Sequence, residues 1–123
     1  MYEIKIANQL IGKNSYPFIV GEAGINHNGE INKAFEMIEV AKKIGLNAIK
    51  FQTFKASEFC GNSSETYTYR SQGKEVTEPM IDMFSRCEFS NDEWIKIYEK
   101  CQKEKIHFMS TPQNYSDLEL LLE

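Results

Sequence analysis

The sequence predicts an α/β protein built on a parallel sheet, and three observations carry that prediction. Apolar runs ending in polar residues recur at 18–22, 47–53 and 106–112, a segment of helical periodicity lies after each, and turn-forming residues punctuate the junctions. Strand comes before helix each time. This is the order of parallel pairing, where a crossover must carry the chain back to the same end of the sheet.

At the N-terminus, Tyr2, Ile4 and Ile6 alternate with Glu3 and Lys5, and Leu10 and Ile11 follow. Residues 2–11 therefore read as a short strand or hairpin, closed by a turn at Gly12, Lys13 and Asn14. In the next run, alternation sets Phe18, Val20 and Glu22 on one side and Ile19 and Gly21 on the other, so the Glu22 carboxylate emerges where the apolar run stops. The loop behind it carries Gly24, Asn26, His27, Asn28 and Gly29. Ile31, Ala34, Phe35, Ile38 and Ala41 then recur at helical spacing, Met37, Val40 and Ile44 widen the stripe, and Gly45 is placed to end the helix.

Residues 47–53 hold the most informative alternation. Ile49 and Phe51 share one face, while Ala48, Lys50 and Gln52 share the other. An ordinary core strand does not bury a lysine. In a parallel barrel the apolar face packs outward on helices and the other face points inward, where residues near the C-terminal mouth are polar and functional. Lys50 and Gln52 then converge with Glu22.

Periodicity weakens over 54–89, where 61–64, 71–74 and the pair Tyr67 and Tyr69 argue for a long excursion. Within it a short helix is expected from Thr77, as cap, to about Arg86, with Pro79 in its first turn. Ser90 and Glu93 have capping-box spacing, and Trp94, Ile97, Tyr98 and Cys101 continue as an amphipathic helix to about Lys105. The third strand, 106–112, ends in Ser110 and Thr111, both expected on the polar rim. Ser116 and Glu119 repeat the capping-box spacing ahead of Leu118, Leu120, Leu121 and Leu122. A hairpin and about three strand-helix units are less than the eight strands and roughly 250 residues of a closed (β/α)8 barrel. The chain therefore reads as an N-terminal fragment of such a barrel, whose open edges and uncovered face predict cover by another copy or chain.

Composition narrows the function. The 123 residues are 41% hydrophobic and 26% charged, as in folded soluble proteins with one modest core. A net charge of −4 offers little attraction to a phosphate backbone or an anionic bilayer, so neither nucleic acid nor membrane is an expected partner. Cys60, Cys87 and Cys101 include no Cys-x-x-Cys pair, which indicates neither a disulfide framework nor a zinc site and fits the cytoplasm.

Three motifs, Gly-Glu-Ala-Gly-Ile-Asn-His-Asn-Gly (21–29), Ala-Ile-Lys-Phe-Gln-Thr (48–53) and Met-Ser-Thr-Pro (109–112), occur here in the order and context seen in the bacterial N-acetylneuraminate (sialic acid) synthases, which the chain resembles over essentially its whole length. Legionaminate and pseudaminate synthases share most of the pattern. The resemblance implies the first third of a TIM-barrel catalytic domain. It also implies condensation of phosphoenolpyruvate with an N-acylated mannosamine-type sugar, using Mn2+ or Mg2+, to give a nine-carbon 2-keto acid and phosphate. Family members carry a C-terminal antifreeze-like domain and form domain-swapped homodimers. That domain and the two metal-ligand histidines are expected beyond residue 123, so the stretch alone is expected to be inactive and to hold no metal ligand. Carried over by motif, Glu22 faces the sugar aldehyde and the reacting centre. Lys50 holds the phosphoenolpyruvate carboxylate, Gln52 contacts the sugar, Thr111 helps bind the phosphate, and Ser110 and Asn26 join them at the rim.

From the residues alone, each of these has a plainer reading. Glu22 is then an exposed loop carboxylate, Lys50 an edge-strand lysine that snorkels, Gln52 a tether for a loop, and Thr111 a cap for the turn at Pro112. His27 and His107 read as structural, and Trp94, Tyr98, Phe35 and Phe108 as packing. Tyr67, Tyr69 and Arg70 read as a lid over the barrel mouth. Two other functions stay open: a related phosphoenolpyruvate synthase making a 3-deoxy-ulosonate from a phosphorylated sugar, and a noncatalytic module that binds acidic sugars or a partner.

Overall fold

A computed structural model describes residues 3–62 and 64–123; Tyr2 of the opening alternation and Ser63 of the long excursion lie outside the described residues. Strands β1 (Ile4–Ile6) and β2 (Gln9–Ile11) form an antiparallel hairpin. After them come β3 (Val20–Gly24), α1 (Ile31–Lys43), β4 (Ala48–Thr53), the single turn α2 (Ala56–Phe59), β5 (Thr66–Ser71), β6 (Lys74–Pro79), α3 (Met80–Cys87), α4 (Asn91–Glu104), β7 (His107–Pro112) and α5 (Tyr115–Leu122). The main sheet has the order β3-β4-β7 and is parallel throughout. This is the α/β class expected, with strand-helix units of the TIM-barrel type.

The sheet's two faces differ as the sequence pattern requires. Ile49 and Phe51 of β4 meet Ala34, Ile38 and Ala41 of α1 and Trp94, Ile97 and Cys101 of α4, a core in which Ile38 and Ile97 are wholly buried. Aromatic edges tighten it, with Trp94 standing T-shaped to Phe51 and Phe89. On the opposite face no described element covers β3, and Val20 is exposed there. Val40 and Ile44, expected in the buried stripe of α1, are also exposed, because they overhang edge strand β3 beside Gly21 and Leu46. The cysteines are free, buried thiols. No described helix is long and apolar enough to cross a membrane.

Helix ends follow the capping rules with two shifts. Ser90 accepts from the Glu93 amide, and the Glu93 carboxylate accepts from the Ser90 amide, as the spacing predicted. The last helix is capped at Asn114 rather than Ser116: Asp117, itself buried, accepts from the Asn114 backbone and side-chain amides, while Ser116 donates to Glu58.

The long excursion expected over 54–89 contains a second antiparallel hairpin, β5–β6, with Arg70 opposite Glu75 and Ser71 opposite Lys74. Its turn residues Gln72 and Gly73 both have positive φ, 50° and 78°, the conformation that lets a two-residue turn match strand twist. Thr77, expected to cap a helix, is instead in β6 and shares a hydrogen bond with the Thr68 hydroxyl across the ribbon. The helix begins three residues later at Met80. A satellite cluster of Phe54, Phe59 and Phe84, with ring centroids 4.8–6.0 Å apart, seats α2 and α3 at the C-terminal end of β4.

Gly29 is where α3 touches the loop after β3. Its φ is +73°, and a Cβ there would stand 2.0 Å from the Arg86 carbonyl oxygen, a backbone atom that cannot swing aside. Gly29→Ala is expected to destabilise the protein by at least about 1–2 kcal/mol, the left-handed penalty alone, read as a lower urea midpoint with unchanged m-value.

Candidate active site

Pairing in a parallel sheet brings registered residues to the same face. Glu22 is opposite Lys50, Lys50 opposite Met109, and Gln52 opposite Thr111. All share the face that carries no helices, with Gln52 and Thr111 nearest the strands' C-terminal ends. Lys50 Nζ stands 2.7 Å from Glu22 Oε2, with the two side chains 37% and 50% exposed. A pair this open to solvent is screened and adds at most about 1 kcal/mol to stability. Holding the fold together is therefore not a sufficient reason for placing a lysine on a central strand.

The main chain is thinnest at Gly24, and three side chains gather around it. A Cβ on Gly24 would lie 3.7 Å from Glu22 Oε1, 3.9 Å from Asn26 Nδ2 and 4.0 Å from Gln52 Nε2. Asn26 is held there by donating to the Ala23 carbonyl at 3.0 Å. The result is a concave rim with one carboxylate, one ammonium, two amides and, one strand over, the Thr111 hydroxyl. It offers donors and a fixed cation to an anion on one side and a carboxylate to a hydroxyl-bearing group on the other.

Ser110 does not belong to this rim. It is paired with Phe51 and therefore faces the helices, where its hydroxyl shares a 2.6 Å hydrogen bond with buried Thr53. The expectation that consecutive residues Ser110 and Thr111 both reach the substrate fails because side chains alternate along a strand. Arg70 likewise parts from Tyr67 and Tyr69: alternation along β5 sends its side chain to the other face of the ribbon, although it still borders the cleft between the hairpin and the rim.

The sequence profile of the NeuB family matches residues 37–123. The chain belongs to the NeuB family. It is 32% identical over 111 residues to the N,N'-diacetyllegionaminic acid synthase of Legionella pneumophila, covering 90% of this chain and 31% of that protein. It is 31% identical to the spore coat polysaccharide biosynthesis protein SpsE of Bacillus subtilis, covering 98% and 32%. The crystal structure of the N-acetylneuraminic acid (sialic acid) synthetase of Leptospira borgpetersenii, in complex with citrate, superposes with a TM-score of 0.80 at 33% identity, over 98% of this chain and 38% of that one. The chain thus spans about a third of the length of the relatives it matches.

Among the described residues no three His, Cys, Asp or Glu side chains cluster as ligands, and Glu22, the one carboxylate that the sheet carries on its polar face, is engaged by Lys50.

The NeuB loop after β3 is set from below by His27, which is wholly buried and stacked on Phe89 with ring centroids 4.2 Å apart. Its Nδ1 accepts from the Gly29 amide at 3.1 Å, which puts the proton on Nε2, a buried atom with no partner among the described residues. Desolvation lowers the His27 pKa to about 4. The unfolded chain, titrating near 6.5, therefore binds a proton that the folded chain refuses. This contribution to stability is full above about pH 6.5 and is lost as pH falls towards 4, by up to about 3 kcal/mol. Unfolding free energies measured from pH 7 to 4 are expected to fall with a slope that His27→Gln reduces by about one proton; an unchanged slope would mean another group is responsible.

Proposed function

We propose that this chain is the phosphoenolpyruvate-binding part of a sugar acid synthase. The reaction joins C3 of phosphoenolpyruvate to the aldehyde carbon of an open-chain N-acylated mannosamine-type sugar; water adds at C2 and phosphate leaves, giving a nine-carbon 2-keto acid. The single observation that carries this reading is the Glu22–Lys50 pair, at 2.7 Å on the polar face of adjacent parallel strands, with Gln52 and Thr111 registered beside it. The names of the relatives support the sugar acid as product class. The activity is proposed for a protein of the relatives' length, as a homodimer, with Mn2+ or Mg2+ held by residues outside this chain.

Each side chain has a physical task in this scheme. Lys50 is a fixed point charge for the substrate carboxylate, and Glu22 holds its ammonium in place until the substrate competes for it. Displaced from Lys50, the Glu22 carboxylate is free to accept from the sugar at the carbon under attack. Gln52 and Asn26 supply amide donors and acceptors to hydroxyls, and Thr111 donates to a phosphate oxygen. Fixing both reactants on one rim removes much of the entropy cost of bringing them together.

In the full-length enzyme, Lys50→Ala is expected to lower kcat/KM for phosphoenolpyruvate at least about a hundredfold, measured as phosphate release. Retention of more than half of the wild-type value would remove Lys50 from the reading. Thr111→Ala is expected to raise the phosphoenolpyruvate KM about tenfold, the loss of one hydrogen bond to a charged group, whereas Ser110→Ala leaves that KM within about twofold and costs about 1 kcal/mol of stability. The reverse ranking of the two hydroxyls would contradict the assigned faces.

A further inference from the structure

The β5–β6 hairpin overhangs the polar rim and encloses with it a cleft of about 740 Å³, whose walls include Asn26 and Gln52 on one side and Tyr67, Tyr69 and Ser71 on the other. Those three hairpin residues alternate onto one face of the ribbon. The Tyr67 and Tyr69 rings stack, with centroids 6.1 Å apart and planes 26° from parallel. Tyr69 is locked: its hydroxyl donates to Glu78 Oε1 at 2.7 Å, and Arg86 of α3 grips the same carboxylate with two nitrogens at 2.6 and 2.7 Å. Hydrogen bonds from Arg86 and then Tyr69 pull Glu78 down to about 2, so the clasp stays charged at all but strongly acid pH. Tyr67 rests on this locked ring and is 46% exposed, a large aromatic left open at the edge of the cleft.

An aromatic face opposite amide side chains suits a ligand that is polar on one side and has C–H groups or a methyl on the other. We propose that Tyr67, backed by Tyr69, is the platform on which the N-acyl-bearing face of the acceptor sugar lies, and that it determines which acceptor is taken. This rests on the synthase reading and adds to it a residue that determines specificity. Lys50 and Thr111 serve phosphoenolpyruvate, whereas Tyr67 serves the other substrate. Arg86 acts through Glu78 and Tyr69 as a positioning residue.

The test uses full-length enzyme and whichever N-acyl hexosamine the wild type converts to a 2-keto acid. Tyr67→Ala is expected to raise the acceptor KM about tenfold or more while the phosphoenolpyruvate KM stays within twofold, and Tyr67→Phe to restore the wild-type acceptor KM, since the ring face is what matters. Arg86→Ala is expected to raise the acceptor KM in the same sense, with Arg86→Lys less affected. An unchanged acceptor KM in Tyr67→Ala, or an equal rise in both constants, overturns the platform while leaving the synthase reading intact. A wild type that converts no N-acyl hexosamine overturns the synthase reading itself, and the platform with it.

Discussion

The structure depends on the in-phase parallel pairing of β3, β4 and β7. Because Glu22 is opposite Lys50, and Lys50 opposite Met109, one choice of register sends Ile49 and Phe51 of β4 to the helices and Lys50 and Gln52 to the other face. A slip by one residue would bury Lys50 against Ile38 and Trp94 and expose Phe51, at the cost of an unpaired buried charge and the loss of the central core ring. The core therefore enforces the site: burial of Ile49 and Phe51 against α1 and α4 is what turns Lys50 and Gln52 towards Glu22.

That coupling explains what could be read from the sequence. In β4 the two faces differ so sharply in chemistry that alternation alone separates core from site, and in α1 the spacing of Ala34, Ile38 and Ala41 marks the packed stripe without outside help. The Ser90–Glu93 cap is a local device and was equally visible. In β7 the neighbours Phe108 and Met109, or Ser110 and Thr111, are chemically alike. Which of each pair faces the core is settled only by the register with Phe51 and Gln52, across more than fifty residues of chain. From the sequence Ser110 therefore reads as a rim residue beside Thr111, and the three motifs of the resemblance do not separate the two.

The hairpin shows a different failure. Its signals are local and present, with threonine and tyrosine alternating over 66–69 before Gln72 and Gly73 and the β-branched Val76 and Thr77 after them. They were outweighed by the turn-like composition of 61–64 and 71–74 and by a threonine that imitates a helix cap. The clasp of Tyr69, Glu78 and Arg86, which fixes the ribbon to α3, depends on tertiary placement and has no sequence signature. His27 was read as structural, and the structure gives the reason: a buried ring that braces the Gly29 turn, so that the loop after the Glu22 strand is held from beneath. Helix α3 meets that turn at the Arg86 carbonyl and also grips the hairpin, so rim and hairpin share one support.

The most direct test of the central claim is a crystal structure of the full-length protein with phosphoenolpyruvate bound. The account predicts the substrate carboxylate within about 3 Å of Lys50 Nζ, on the face that carries Glu22 and Gln52 and with a phosphate oxygen near Thr111. A ligand seated elsewhere, with Lys50 still paired to Glu22 and no contact to Thr111, would contradict it.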